Sequence, residues 1–158
     1  MLEKITGAVV SRDGAREALW FLGDACDVVI SGEETGGAYA LLQFEFRPGS
    51  GAPPHVHQHE SEFFYVQEGT LEFHVGDKTL VAHAGDFVHV YPHEQHWFRN
   101  PTDGVTRALV GIAPAKFVDF FREVGCPRTP GSTPPPMPAV ENIVAGAAKY
   151  GVIIAPPA

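Results

Sequence analysis

Three imidazoles and one carboxylate stand at spacings suited to a common centre: His55, His57, Glu62 and, farther along, His96. All eight histidines of the chain (55, 57, 59, 74, 83, 89, 93 and 96) fall between Gly49 and Asn100. Imidazole nitrogens bind divalent transition ions, and a carboxylate completes many such sites. In an extended strand, residues two apart face the same way, so His55 and His57 grip one ion together. Glu62 lies five residues beyond His57 and would face oppositely in an unbroken strand. A turn through His59-Glu60-Ser61 is therefore expected, with His96 arriving from another strand pair. The expected cofactor is one divalent transition metal ion (Ni, Mn, Fe, Co, Cu or Zn), with a coordination position left for water or substrate.

The remaining histidines read differently. His74 and His83 fall on a polar face or beside a turn and are expected at the surface. His59 and His93 lie close enough to the ligands to compete with them, to support them, or to face solvent, and these alternatives stay open. His89 lies on the face opposite Val88 and Val90. Glu60 and Glu94 are expected to be solvated. Phe64, Phe73 and Phe98 read as core residues that, together with Tyr39, are also candidates for contact with a bound molecule.

The elements that must position these groups are short and β-like. Gly7 to Val10, Ala18 to Leu22 and Cys26 to Ile30 read as opening strands, with Arg16 to Phe21 open to a helical turn instead. Gly36-Gly37 is a turn, and Ala38 to Arg47 ends in the alternation of a half-buried strand. Pro48 to Pro54 breaks the pattern before His55. Phe63 to Glu68, Leu71 to Val75, Thr79 to Val81, Phe87 to Tyr91, His96 to Asn100 and Val105 to Ala113 follow, separated by Gly69, Gly76-Asp77, Gly85-Asp86 and Asp103-Gly104. Strands at this spacing make an all-β barrel or sandwich, and a closed barrel brings distant strands around one point.

After Pro114 the period changes. Phe117, Phe120, Phe121 and Val124 recur at helical spacing, with Gly125 as the stop. Pro127 to Pro138 is an extended connector, Ala139 to Tyr150 a second helix, and Val152 to Ile154 an apolar segment laid against something. The expected organisation is one domain. Residues 1–113 form the barrel with its N-terminal strands, the site core is 49–100, and 114–158 form helices and a Pro-rich arm packed on the barrel or a partner.

Composition narrows the function class. The chain has 158 residues, enough for one domain with its own core. A net charge of −8, with 11 scattered basic residues, argues against nucleic acid as a partner. No apolar run approaches the roughly 20 residues of a membrane span. Met1 to Thr6 lacks a signal-peptide pattern, and Cys26 and Cys126 have no disulfide or CxxC framework. A cytoplasmic location is the expectation.

The site window resembles a cupin, whose first motif G-x5-H-x-H-x(3–4)-E-x6-G is met by Gly49, His55, His57, Glu62 and Gly69. The second, G-x5-P-x-G-x2-H-x3-N, is met by Gly85, His96 and Asn100. It is broken in the middle, where Tyr91 replaces the proline and His93 the glycine, with Pro92 shifted by one. The resemblance implies a single-domain double-stranded β-helix, or jelly-roll barrel, with His55, His57, Glu62 and His96 as ligands. Small cupins are commonly dimers, so a homodimer is expected.

The flanks Leu22-Gly23-Asp24, Glu34 to Tyr39, Pro114 to Phe117 and Phe120 to Gly125 are similar to those of quercetinase-like cupins. That resemblance implies a metal-dependent dioxygenase, opening a flavonol-like aromatic enol with O2 and releasing carbon monoxide, with Glu62 as the general base. Two other classes fit the same residues: a non-oxidative metal-dependent isomerase or cyclase, and a non-catalytic module that binds a small molecule.

Overall fold

The fold is described from a computed structural model, covering residues 2–155. The chain opens with β1 (Glu3–Ile5), β2 (Ala8–Val10), β3 (Glu17–Phe21) and β4 (Asp24–Ile30), then a one-turn helix α1 (Gly32–Thr35). Next come β5 (Ala40–Phe46), β6 (Gly51–His57), β7 (Ser61–Glu68), β8 (Thr70–Val75) and β9 (Lys78–His83). The barrel ends with β10 (Phe87–Val90), β11 (His96–Arg99) and β12 (Thr106–Ala113). A 3₁₀ turn (Ala115–Phe117), α2 (Val118–Val124), β13 (Cys126–Pro127), α3 (Val140–Lys149) and β14 (Val152–Ile154) complete it.

The strands form an all-β jelly roll of two antiparallel sheets. One has the order β10-β7-β12-β5-β4-β3-β13 and the other β14-β6-β11-β8-β9, while β1 and β2 pair separately. Period-two alternation decides which side chains enter the space between them. On β7, Glu62, Phe64 and Val66 are buried; on β6, His55 and His57; on β11, His96 and Phe98. Phe64 meets Phe73 and Phe98 across the sandwich, each at a ring separation of 4.9 Å. Edge-on contacts of this kind add about 0.5–1.5 kcal/mol each beyond their area.

The structure decides three local points. Arg16 to Phe21, read as strand with a helical turn as the alternative, is strand over Glu17–Phe21, paired to β4. The stretch through Pro53 and Pro54 continues β6 rather than breaking it. Prolines fit there because β14 pairs only with His55 to His57, and the β6–β11 register shifts between His96 and Phe98. At the start of this irregular stretch a Cβ on Gly51 would lie 1.9 Å from the Phe98 carbonyl oxygen, so the close approach requires glycine. The third is α1, a helix too short to leave a periodic signal, ended by Gly36 in the left-handed region.

The C-terminal segment packs on the barrel. The 3₁₀ turn and α2 bury Phe117, Phe120 and Phe121, and Phe121 lies against Phe21 and Phe44. The connector is extended, tied down by the Trp20 indole donating to Ser132 Oγ at 2.9 Å. The final apolar strand β14 adds to the outer edge of β6, the strand that carries two of the histidines. Residues 156–158 of the arm lie outside the described residues.

Candidate metal centre

The four ligand candidates come from both sheets. His55 and His57 project inward from β6, and His96 from the neighbouring β11, where it stands directly opposite His55. Glu62 reaches them from β7 of the facing sheet. The bend at residues 58–60 resets the strand so that Glu62 points inward, as its spacing from His57 requires. One ligand atom from each of the four residues lies within 4.8 Å of all the others, and all four residues are buried.

Three hydrogen bonds fix the imidazoles from behind. His55 Nδ1 lies 2.8 Å from the Pro53 carbonyl and His96 Nδ1 3.0 Å from the Glu94 carbonyl. His57 Nδ1 lies 3.3 Å from Glu60 Oε2. These acceptors place the proton on Nδ1 and aim Nε2 at the centre. The three Nε2 atoms converge on one oxygen, Glu62 Oε2, at 3.6 Å (His55), 3.3 Å (His57) and 2.9 Å (His96).

The donor set fits a divalent transition ion. Nitrogen and oxygen donors number three and one, and their spacing suits a single centre. His57 Nε2 is buried with no hydrogen-bond partner among the described residues, despite its nearness to Glu62. A buried nitrogen left this way is costly in a merely structural cluster and is the natural state of a ligand atom.

Charge agrees with that reading. Burial pushes the His57 imidazole toward its neutral form, but the carboxylates of Glu62 and Glu60 outweigh it and raise the pKa to about 9. Burial likewise favours a neutral Glu62, yet the charge on His57 and the imidazoles gathered around the carboxylate hold it well below the usual carboxylate range. Glu62 is ionised, and a proton on His57 takes the place of positive charge.

An apolar cavity adjoins the centre. The rings of seven phenylalanines, Phe98 and Phe117 among them, line it, and among the described residues its ionisable wall groups are Asp24, His55 and Glu62. Ile143 and Ala147 of α3, with Val152 and Ile154 of β14, close one side. Of the residues expected to contact substrate, only Phe98 lies on this wall. Phe64 and Phe73 are fully buried behind it, and Tyr39 is exposed and off the cavity. Alternation along a strand separates inward from outward, but it does not report depth.

The other acidic and basic expectations sort as follows. Glu60, expected in solvent, is 3% exposed and faces His57. Glu94 is exposed, and only its carbonyl serves the site. His59, His83, His89 and His93 are exposed, and His74 stacks on Trp97 at 3.6 Å on the outer face. His93 adopts φ of 71°, the left-handed conformation that the motif's glycine would supply, and its N–H donates to the His57 carbonyl at 2.8 Å. Phe117 also escaped the sequence reading as a site residue, although its ring meets that of His57 edge-on at 4.9 Å. Its helical period showed burial, and nothing local indicated what it is buried against.

The sequence profile of the Cupin domain family matches residues 42–112, a span that contains all four ligand candidates. The chain belongs to the cupin superfamily. Over 101 residues it is 29% identical to quercetin 2,3-dioxygenase of Bacillus subtilis (strain 168), covering 63% of this chain and 29% of that protein. The cupin fold is shared with a solved structure described as a predicted oxalate decarboxylase from Thermotoga maritima. That likeness has a TM-score of 0.60 and 22% identity, over 66% of this chain and 98% of the other. An RmlC-like cupin from Shewanella frigidimarina gives a TM-score of 0.59 and 20% identity, over 73% and 95% of the two chains. At these identities the structural likeness speaks for the cupin fold alone.

Proposed function

We propose that this cupin is a metal-dependent dioxygenase that cleaves a flavonol-like aromatic enol with O2. The observation that carries the proposal is the chemistry of the cavity wall. Seven phenylalanine rings line it and, among the described residues, no lysine or arginine. A small dicarboxylate or a sugar phosphate would enter such a space without a cationic side chain to meet its charge, at a desolvation cost of several kcal/mol. A flat, uncharged aromatic molecule finds stacking surfaces and excluded water instead. The 29% identity to a quercetin 2,3-dioxygenase supports the same substrate class.

His55, His57, Glu62 and His96 would hold the ion. The chemistry supplied by the bound ion is Lewis acidity toward the substrate's enolic hydroxyl and a redox partner for dioxygen. The chain's residues do the rest. Glu62, ionised and on the cavity wall, accepts the enolic proton. The three histidines stay fixed through their Nδ1 hydrogen bonds, which keeps the geometry constant as charge redistributes. Phe98 and Phe117, both on the cavity wall and the latter against the His57 ring, orient the ring system and keep water out.

Oxygen uptake with a panel of flavonols, after reconstitution with each of Ni, Mn, Fe, Co, Cu and Zn, tests the proposal. Uptake matched to flavonol loss and carbon monoxide release is the expected result. Conversion without oxygen uptake would reassign the chain to isomerase or cyclase chemistry, and binding without conversion would make it a binding module.

A further inference from the structure

Glu60 is a buried carboxylate whose position the cupin motif does not specify. It is 3% exposed, and its Oε2 lies 3.3 Å from His57 Nδ1. The other two ligand histidines rest on neutral backbone carbonyls, those of Pro53 and Glu94. His57 alone is backed by a formal negative charge. Taking a carboxylate out of water costs several kcal/mol unless a partner compensates, and His57 is the side chain that meets it.

We propose that Glu60 is a positioning residue that tightens metal binding through His57. The inference rests on the metal reading of the four-ligand centre and not on the identity of the substrate. Accepting the Nδ1–H holds His57 in the tautomer whose Nε2 lone pair faces the centre, and the charge raises the electron density on that nitrogen. Phe117 packs against the same ring and limits its rotation. Glu60 also completes a charge balance. A divalent ion held by Glu62 alone leaves one positive charge beside an apolar cavity, and the second carboxylate cancels it.

The test is metal affinity of the full chain, measured by competition with a chromophoric chelator for Zn2+ and Co2+. Glu60→Gln keeps the volume and removes the charge, and its affinity is expected to fall about tenfold. Glu60→Ala also leaves the Nδ1–H without an acceptor and is expected to approach a hundredfold loss. The visible spectrum of the Co2+ form should shift in both variants, because the ligand field at His57 changes. Circular dichroism of the metal-free forms separates folding from binding. If Glu60→Ala fails to fold, the Gln variant decides. Affinity and Co2+ spectrum of Glu60→Gln matching wild type, with affinity within twofold, would overturn the inference. His55→Ala and His96→Ala run in parallel: if these also bind like wild type, the four-ligand centre is wrong rather than the role of Glu60.

Discussion

His96 Nε2 lies 2.9 Å from Glu62 Oε2, and this contact joins the inner faces of two different sheets. The residues are 34 apart in the chain. No local element can bring them together, so the pair reports closure of the sandwich itself. The same contact separates holding an ion from using it. Glu62→Gln keeps an oxygen donor but loses the charge and the proton acceptor. It is expected to retain part of the metal and to lose turnover by at least about a hundredfold, the range of a missing general base. His96→Ala removes a ligand nitrogen and should lose most of the metal. Elemental analysis beside oxygen uptake checks both, and unchanged turnover in Glu62→Gln would remove Glu62 from the chemistry.

The metal-free protein should show a pH optimum of stability set by the same cluster. The folded His57 pKa of about 9 exceeds the ordinary 6.5, so its contribution is complete below pH 6.5 and is lost as pH rises through 9. Glu62 shifts the other way: its contribution is complete above the ordinary 4.5 and is lost as pH falls through its lower folded value. Chemical denaturation with metal removed is expected to give a plateau between about pH 5 and 6.5, with losses on both sides. Stability still rising between pH 7 and 9 would contradict the His57 assignment.

Proton release on metal binding follows from the same state. An ion must displace the proton from His57, so binding at pH 7 should release about one proton and tighten roughly tenfold per pH unit up to about pH 9. Calorimetry in buffers of different ionisation enthalpy counts that proton. Binding that releases none would mean that His57 is already neutral.

Much of this arrangement was legible before any coordinates. Alternation in Leu71-Glu72-Phe73-His74-Val75 and the turns after it marked β8 and its neighbours, and the two-residue step from His55 to His57 placed both on one face. Glu60 was not legible, because a carboxylate between His59 and Ser61 in a bend carries the local signature of a solvated turn. Only the closing of the sandwich buries it. The two prolines of β6 misled for a related reason: proline forbids a backbone donor, and whether one is needed depends on the neighbouring strand. The cavity lid is likewise tertiary. Ile143, Ala147, Val152 and Ile154 are spread over α3 and β14, and their shared target lies far away in the chain.

That lid offers a test of the cavity separate from the metal. Ala147 is fully buried on α3 and lines the cavity. Ala147→Phe would fill the space with a ring. The expected result is a raised KM for flavonols, or lost binding, with metal content unchanged. A stability loss of about 1–3 kcal/mol from overpacking accompanies it. Wild-type KM in a folded Ala147→Phe variant would place the substrate elsewhere.

His93 tests the departure from the cupin motif. Its φ of 71° is left-handed, a conformation that costs a residue bearing a Cβ about 1–2 kcal/mol and costs glycine almost nothing. The imidazole is exposed, and the bond from this residue to the His57 carbonyl comes from the backbone N–H, which glycine retains. His93→Gly should therefore keep its metal and gain stability. Part of the relieved strain is offset by the greater freedom of glycine in the unfolded chain. A net gain of about 0.5–1 kcal/mol would raise Tm by roughly 1–4 °C in a domain of this size. A fall in Tm would show that the imidazole itself stabilises the turn, and a fall in metal affinity would give the His93 side chain a role at the centre.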